Sequence, residues 1–333
     1  MSPTTTLLVP FTEENQLYRD PTTSQPSSSP TLPGHPRVPL HDAVRLRGFL
    51  RRELWAVDLE RMAPHLWIMS TQSSSNVSPL HQQKVKGRET IVTEDPRLHL
   101  VWIYDRVFIK PLPKYLLSYT FWSDIISNQR SVLWGSTREE QETCSMIRIS
   151  ALGFLRTYYY LIQHESDFEI ARNETRLLPP DITWTDFCAF SKDFVDISDD
   201  TVSERYHYGE LRLTSLNLYA KLIIGKFHYK RVHRQYGAFF ARYYGPLLFI
   251  FGILSIILSA MQVELGVETL TNAQWISFWY ASRWFVIVAL ACIAFVVLGF
   301  VSLLVGMVVD EWVFALRRRY EKGGLRKRQQ IKA

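Results

Sequence analysis

WFVIVALACIAFVVLGFVSLLVGMVV, residues Trp284–Val309, decides the fold class together with PLLFIFGILSIILSAMQV, residues Pro246–Val263. Neither run contains a charged side chain. About 20 apolar residues cross the hydrocarbon of a bilayer, and roughly 18 make a candidate span. The second run has 26 residues and the first has 18, extended on its N-terminal side by Phe239, Phe240, Tyr243 and Tyr244. Tyr243 and Tyr244 stand at one end, Trp275, Trp279, Tyr280 and Trp284 at the other, and Trp312 returns to the first side. That is the placement of aromatic belts at two membrane interfaces. The sequence predicts two transmembrane helices, 246–263 and 284–309, joined by a short loop, 264–283.

Charge sets the orientation. Lys221–Arg242 holds six Lys/Arg and no acid, and Asp310–Ala333 holds eight Lys/Arg against three acids. The loop holds Glu264, Glu268 and one basic residue, Arg283. The positive-inside rule then places both flanks, and with them both termini, in the cytosol. Nothing in the sequence distinguishes the endoplasmic reticulum from the plasma membrane. Asn76-Val-Ser and Asn173-Glu-Thr match the glycosylation pattern, but on this topology both face the cytosol and stay unmodified. The overall net charge of +6 is thereby assigned to the membrane flanks, and residues 1–220 are mildly acidic. The expected contacts with anionic lipid are Lys226, Lys230, Arg231, Arg234 and the tail residues Arg317, Arg318 and Arg319.

Small residues mark one stripe on each span. Gly245, Gly252 and Ser259 recur at seven-residue spacing, with Ser255 beside them; Cys292, Gly299 and Gly306 do the same, with Ser302. Such stripes let backbones approach in lipid, where dispersion and polar contacts replace the hydrophobic effect. They suit a hairpin or a homo-oligomer. No ionisable side chain lies inside either span, which counts against a pump or coupled transporter.

Ahead of the spans, residues 1–40 carry eight of the 16 prolines and twelve Ser or Thr, a composition expected to be disordered. Residues 41–240 read as a mainly helical cytosolic domain with a small β element. Val44, Leu46, Phe49, Leu50, Leu54, Val57 and Met62 recur at helical spacing up to Pro64. Leu98–Tyr104 and Val107–Ile109 read as short strands, and Tyr115–Ile126 as a short apolar helix. Thr137-x-x-Glu140 is a capping box opening a long helix to about His164, with Met146, Ile149, Leu152, Phe154, Leu155 and Tyr159 on its buried face. Further helices are expected at Thr183–Val195 and Ser203–Gly225. The fold class is therefore a mainly α membrane protein, a helical cytosolic domain followed by a two-helix hairpin and a basic tail, 310–333.

Catalytic patterns are absent: there is no nucleophile elbow, Walker loop, dinucleotide-binding glycine motif, zinc-protease helix or EF-hand loop. Cys144, Cys188 and Cys292 lack metal-ligand spacing, and Cys188, between Phe187 and Phe190, reads as a core residue. His228 and His233 lie five apart in a basic stretch, poor geometry for one cation. His99, inside LHLVW, reads as a buried histidine. The acids Asp193, Asp196, Asp199 and Asp200 read as a polar helix end. The basic residues adjoin the spans rather than forming a nucleic-acid module. No enzyme activity, cofactor or metal is expected, and the partners implied are membrane lipids and a protein yet to be identified. Leu325–Arg328, LRKR, also has the form of an arginine-based retrieval signal.

The run HLVWIYDRVFIKPLPKYLLSYTFW, His99–Trp122, preceded by LWIMSTQSSSNVSPLHQQKVKGRETIVTEDPRL and followed by the two spans, resembles a family of uncharacterised fungal membrane proteins over about residues 41–310. The resemblance implies the membrane architecture and supplies no catalytic residue. The layout also resembles the two-helix magnesium channels, although SAMQVELGVETL, Ser259–Leu270, lacks their Gly-Met-Asn signature. That likeness keeps an oligomeric cation channel, with Glu264 and Glu268 at a pore mouth, as the alternative to a membrane-tethered interaction or scaffold protein.

Overall fold

The structure is a computed structural model. It describes residues 9–19, 30–68, 70–225, 229–230, 236–271, 276–277, 279–299, 301–302 and 305. The chain divides into two compact units, Met1–Val232 and His233–Ala333.

In the first unit a 3₁₀ turn, Glu13–Asn15, precedes a hairpin of β1 (Thr31–Leu32) and β2 (His35–Pro39). Gly34 supplies the positive φ of +82° at its turn, a backbone region other residues rarely enter. Residues 9–19 and 30–40 are ordered, which corrects the expected disorder for that part of 1–40. Leu32 and Val38 are buried, and so is Phe11, whose ring lies 4.6 Å from that of Phe190. Composition had weighed the prolines but not the few apolar side chains that reach the core. Residues 1–8 and 20–29 lie outside the described residues.

Helix α1 (Ala43–Leu54) is capped by Asp42, whose carboxylate accepts from Arg45 N–H, and buries Leu46, Leu50 and Leu54. The expected single helix to Met62 is broken at Trp55 and Ala56. It restarts as α2 (Val57–Met62) and runs into a 3₁₀ turn, Ala63–Ile68, which contains Pro64 instead of ending before it. After α3 (Leu80–Val85) come β3 (Glu89–Val92), β4 (Val101–Ile103) and β5 (Arg106–Ile109). The two expected strands are present as β4 and β5, which form an antiparallel hairpin turning at Tyr104 with φ +54°. Tyr115–Ile126 is not one α-helix: a 3₁₀ turn, Lys114–Leu117, is followed by a π turn, Phe121–Ile126.

Helix α4 (Arg138–Leu161) carries the expected capping box between Thr137 and Glu140. Leu152, Phe154 and Leu155 are buried, while Met146, Ile149 and Tyr159 are half-buried. Burial surrounds the helix from Ser150 to Tyr158, because α1 and the turns Lys192–Asp196 and Glu204–His207 all pack on it. A helix buried on every side shows no clean amphipathic stripe. Then follow α5 (Glu165–Glu169), α6 (Trp184–Ser191), β6 (Leu211–Arg212) and α7 (Leu213–Ile223). The expected helix at Ser203–Gly225 is thus split by a strand. The sheet runs β3-β5-β4-β6, with β3–β5 and β4–β6 parallel. One hydrophobic cluster surrounds α4; a second joins Leu59, Met62, Val101, Leu211, Leu216 and Tyr229.

The second unit contains α8 (Tyr236–Thr271) and α9 (Trp279–Gly299). Both are long and apolar enough to cross a membrane, and over 244–267 and 279–299 nearly all residues are exposed or half-buried. α8 continues past Val263, so Glu264 and Glu268 lie on its last turns rather than in a loop.

Candidate functional site

The densest polar cluster sits where the ends of β4 and β5 meet α4. Lys110 follows β5 and is completely buried. Burying an ammonium is costly unless its donors are met. Here Nζ donates to Glu53 Oε2 at 2.6 Å, to Glu94 Oε2 at 3.0 Å and to the Glu94 carbonyl at 2.8 Å. The three N–H donors of the group are thereby occupied. Its backbone is used as well. Lys110 N–H donates to His99 Nδ1 at 3.2 Å, and the Tyr158 hydroxyl donates to the Lys110 carbonyl.

That contact fixes the tautomer of His99. Nδ1 accepts, so Nε2 carries the proton and donates to Thr157 Oγ1, 2.8 Å away; the threonine hydroxyl in turn donates to the Phe154 carbonyl at 2.6 Å. Burial, reinforced by Arg205 and Lys110, holds His99 well below the usual imidazole range, and it is neutral. Leu100, the next residue, is fully buried at a strained φ of +57°. Arg205, also buried, spends its guanidinium on the carbonyls of His99, Tyr208 and Gly209. Around Lys110 lie His35 and Tyr115, with ring centroids 5.8 Å apart. Burial lowers the pKa of His35 against the opposing pull of Glu53. Burial raises that of Tyr115, helped by Glu53 and Glu94. The Tyr115 hydroxyl is buried without a hydrogen-bond partner. The cluster therefore ties α1, β5 and α4 together, and its cation and imidazole are closed by their own contacts.

The sequence reading caught His99 as a buried histidine but singled out neither Lys110 nor Glu53. The available signal was one cation inside VFIKPLPKYLL, directly before Pro111. Cys188 is exposed, which corrects its assignment to the core; it lies on the outer side of α6. Cys144 is buried, with Sγ donating to the Leu133 carbonyl.

The small residues of the apolar helices occupy open faces. Gly245, Ser255, Ser259, Cys292, Gly299 and Ser302 are exposed and Gly252 is half-buried. A Cβ added at Gly245, Gly252 or Gly299 would meet nothing within 4 Å. Lys230 does not stand free for lipid: it pairs with Asp95, which also holds Arg97 through two hydrogen bonds near 2.9 Å. The neighbouring Tyr229 hydroxyl donates to the Arg97 carbonyl at 2.7 Å. Lys226, Arg231, Arg234, Gly306, Arg317, Arg318 and Arg319 lie outside the described residues.

The Asp95 pair gives a pH prediction. Burial would raise its pKa, but the hydrogen bonds from Arg97 and Lys230 outweigh that and hold it at about 2, against 3.8 in water. A depressed carboxylate stabilises the fold fully above its unfolded pKa and loses that contribution as pH falls through the folded one. Asp95→Asn is expected to cost about 1–2 kcal/mol at neutral pH, allowing for screening at its partly exposed partners. The difference from wild type should shrink between pH 4 and pH 2 in urea titrations. A pH-independent difference would contradict the assignment.

Among the described residues, no group of three or more His, Cys, Asp or Glu side chains is arranged to hold a metal ion. Fold and site together define a mainly helical chain with a small mixed sheet, a closed buried polar cluster, and two helices of membrane-spanning length and composition. The chain belongs to the family of unknown function DUF6601, whose profile matches residues 46–293. No curated protein and no solved structure matches it.

Proposed function

We propose that the chain is an integral membrane protein whose helical domain is a cytosolic interaction platform, not an enzyme, held at the bilayer by α8 and α9. The open apolar surface of those helices carries this reading. Leu248, Phe249, Ile256 and Phe295 are each about 70–80% exposed, and water does not tolerate apolar faces that continue over whole helices. α8 has 36 residues, about 54 Å of helix against a hydrocarbon core of about 30 Å. It is long enough to cross and still project from the bilayer. The closure of Lys110 and His99 by internal partners supports a structural use of the polar cluster. The charge asymmetry supports cytosolic termini, with Lys226, Arg231, Arg234 and Arg317–Arg319 against anionic lipid, and the small-residue stripes suit a closely packed hairpin or homo-oligomer.

A glycosylation acceptor inserted between residues 272 and 278 is expected to be modified in membrane-integrated chains, and one near residue 330 is not. The opposite pattern would reverse the topology, and release of the protein by alkaline carbonate would remove the anchor. Cation flux through proteoliposomes, abolished by Glu264→Ala with Glu268→Ala, would replace the platform by a pore.

A further inference from the structure

Away from the polar core, the first unit holds a cleft between the β1–β2 hairpin, α1 and the π turn Phe121–Ile126. Its cavity is about 320 Å³, within the range of about 300–1,000 Å³ that small-molecule sites occupy. The floor belongs to the core: Leu46, Phe121 and Leu133 are buried. Pro33, Leu40 and Ile125 are half-buried walls, and Thr120, Asp124 and Val132 stand at an exposed rim. Thr120, Phe121, Asp124 and Ile125 come from the π turn and the residue before it. Such turns are rare and are frequent at functional sites.

The polar groups of the lining decide what the cleft can hold. The Thr120 hydroxyl is bonded to that of Ser118 at 2.9 Å, and the Ser131 hydroxyl donates to the Ile125 carbonyl at 2.8 Å. Asp124 accepts from the Ser123 hydroxyl at 2.7 Å. A carboxylate has about four acceptor positions, so most of them stay open. Arg45 and Arg47, on either side of Leu46, are already paired with Asp42 and Glu140. An exposed acid alone would be ordinary surface. Here it stands at the mouth of an apolar cavity of ligand size, whose two hydroxyls are engaged elsewhere.

We propose that the cleft binds a small hydrophobic amine, with its ammonium on Asp124 and its apolar body against Leu46, Phe121 and Leu133. Burial of the body supplies the affinity. The charge supplies orientation and selectivity, because an alcohol forgoes the charge-assisted bond and an anion meets like charge. The site lies wholly within the first unit, so the proposal stands whether or not α8 and α9 enter a bilayer.

The test uses the full chain in a neutral detergent, titrated calorimetrically at pH 7 with 4-phenylbutylamine, 4-phenylbutanol and 4-phenylbutyrate against matched micelle blanks. An alkylamine is protonated at that pH, as lysine is. The amine is expected to bind once per chain with a Kd of about 0.1–1 mM. The alcohol should bind about fivefold more weakly, and the carboxylate more weakly still. Nonspecific attraction to a chain of net charge +6 would favour the reverse order. Asp124→Asn should weaken the amine about fivefold and leave the alcohol unchanged. Asp124→Lys should put the carboxylate ahead of the amine, and Val132→Trp, which narrows the mouth, should weaken amine and alcohol alike. Asp124 and Val132 are exposed, so these variants test the site without threatening the fold. No amine binding up to about 5 mM, equal binding of amine and alcohol, or wild-type amine binding in Asp124→Asn or Val132→Trp would overturn the proposal.

Discussion

Lys110→Met is expected to lower the unfolding free energy by about 3 kcal/mol, with a fall of several degrees in melting temperature. Methionine fills much of the same volume, so the loss does not come from a cavity. It comes from the acceptors left behind. Glu53 is only 23% exposed on its side chain and loses its cation. The Glu94 carbonyl loses a donor at the same time. Glu94 itself is 76% exposed and is rehydrated, which keeps the cost below that of stripping a wholly buried pair. Glu53→Gln added to Lys110→Met should recover part of the stability, because the stranded charge is gone. Denaturant titrations of the full chain in detergent measure all three variants. Additive losses, without coupling between positions 53 and 110, would show that the buried lysine is not held by that carboxylate.

Gly209→Ala should be at least as damaging, at about 3–4 kcal/mol, and by a different route. A Cβ at this position would stand 2.0 Å from the carbonyl oxygen of Asn76 and 2.4 Å from its carbonyl carbon. Backbone atoms cannot rotate away as a flexible side chain can. That oxygen also accepts from Glu210 N–H at 2.9 Å, and Gly209 N–H donates to the Ser73 carbonyl at 3.1 Å. Moving the loop breaks both. It also disturbs Glu210, whose carboxylate gathers Ser78 N–H, Gln83 Nε2 and Arg88. Serine at 209 should behave like alanine. A variant that melts with wild type would mean that the 73–76 loop does not pack against residue 209 in solution.

How far these features could be read in advance depended on the range of the interactions behind them. The apolar helices follow from composition over a window, and the α4 cap from four adjacent residues, Thr137 to Glu140. The β4–β5 hairpin is similarly local. By contrast, β3 and β6 become strands only through parallel partners outside their own segment, 17 residues on for β3 and 110 residues back for β6. Leu211 pairs with Val101, and two residues of strand leave no periodicity to detect. Phe11 was hidden by the prolines around it, although it packs on Phe190. The polar cluster was the least legible part: Glu53, Glu94, His99 and Lys110 show nothing of their meeting until α1, β5 and α4 are packed. The cleft beside Asp124, walled by residues as far apart as Pro33 and Leu133, presents the same difficulty.

The order of strands carries a consequence for biosynthesis. The central hairpin can form as soon as Ile109 is available, but its outer partner β6 is contributed by Leu211 and Arg212, near the end of the first unit. Until then β4 offers an unpaired edge, the kind of surface that recruits other chains, and the cluster containing Val101 stays open. Long-range pairing of this kind is slow. The apolar α8 begins at Tyr236, shortly after the strand that completes the sheet. During translation the last step of domain assembly and the appearance of the most aggregation-prone segment are therefore nearly simultaneous. Prompt capture of the emerging chain by an insertion factor or chaperone would protect both at once.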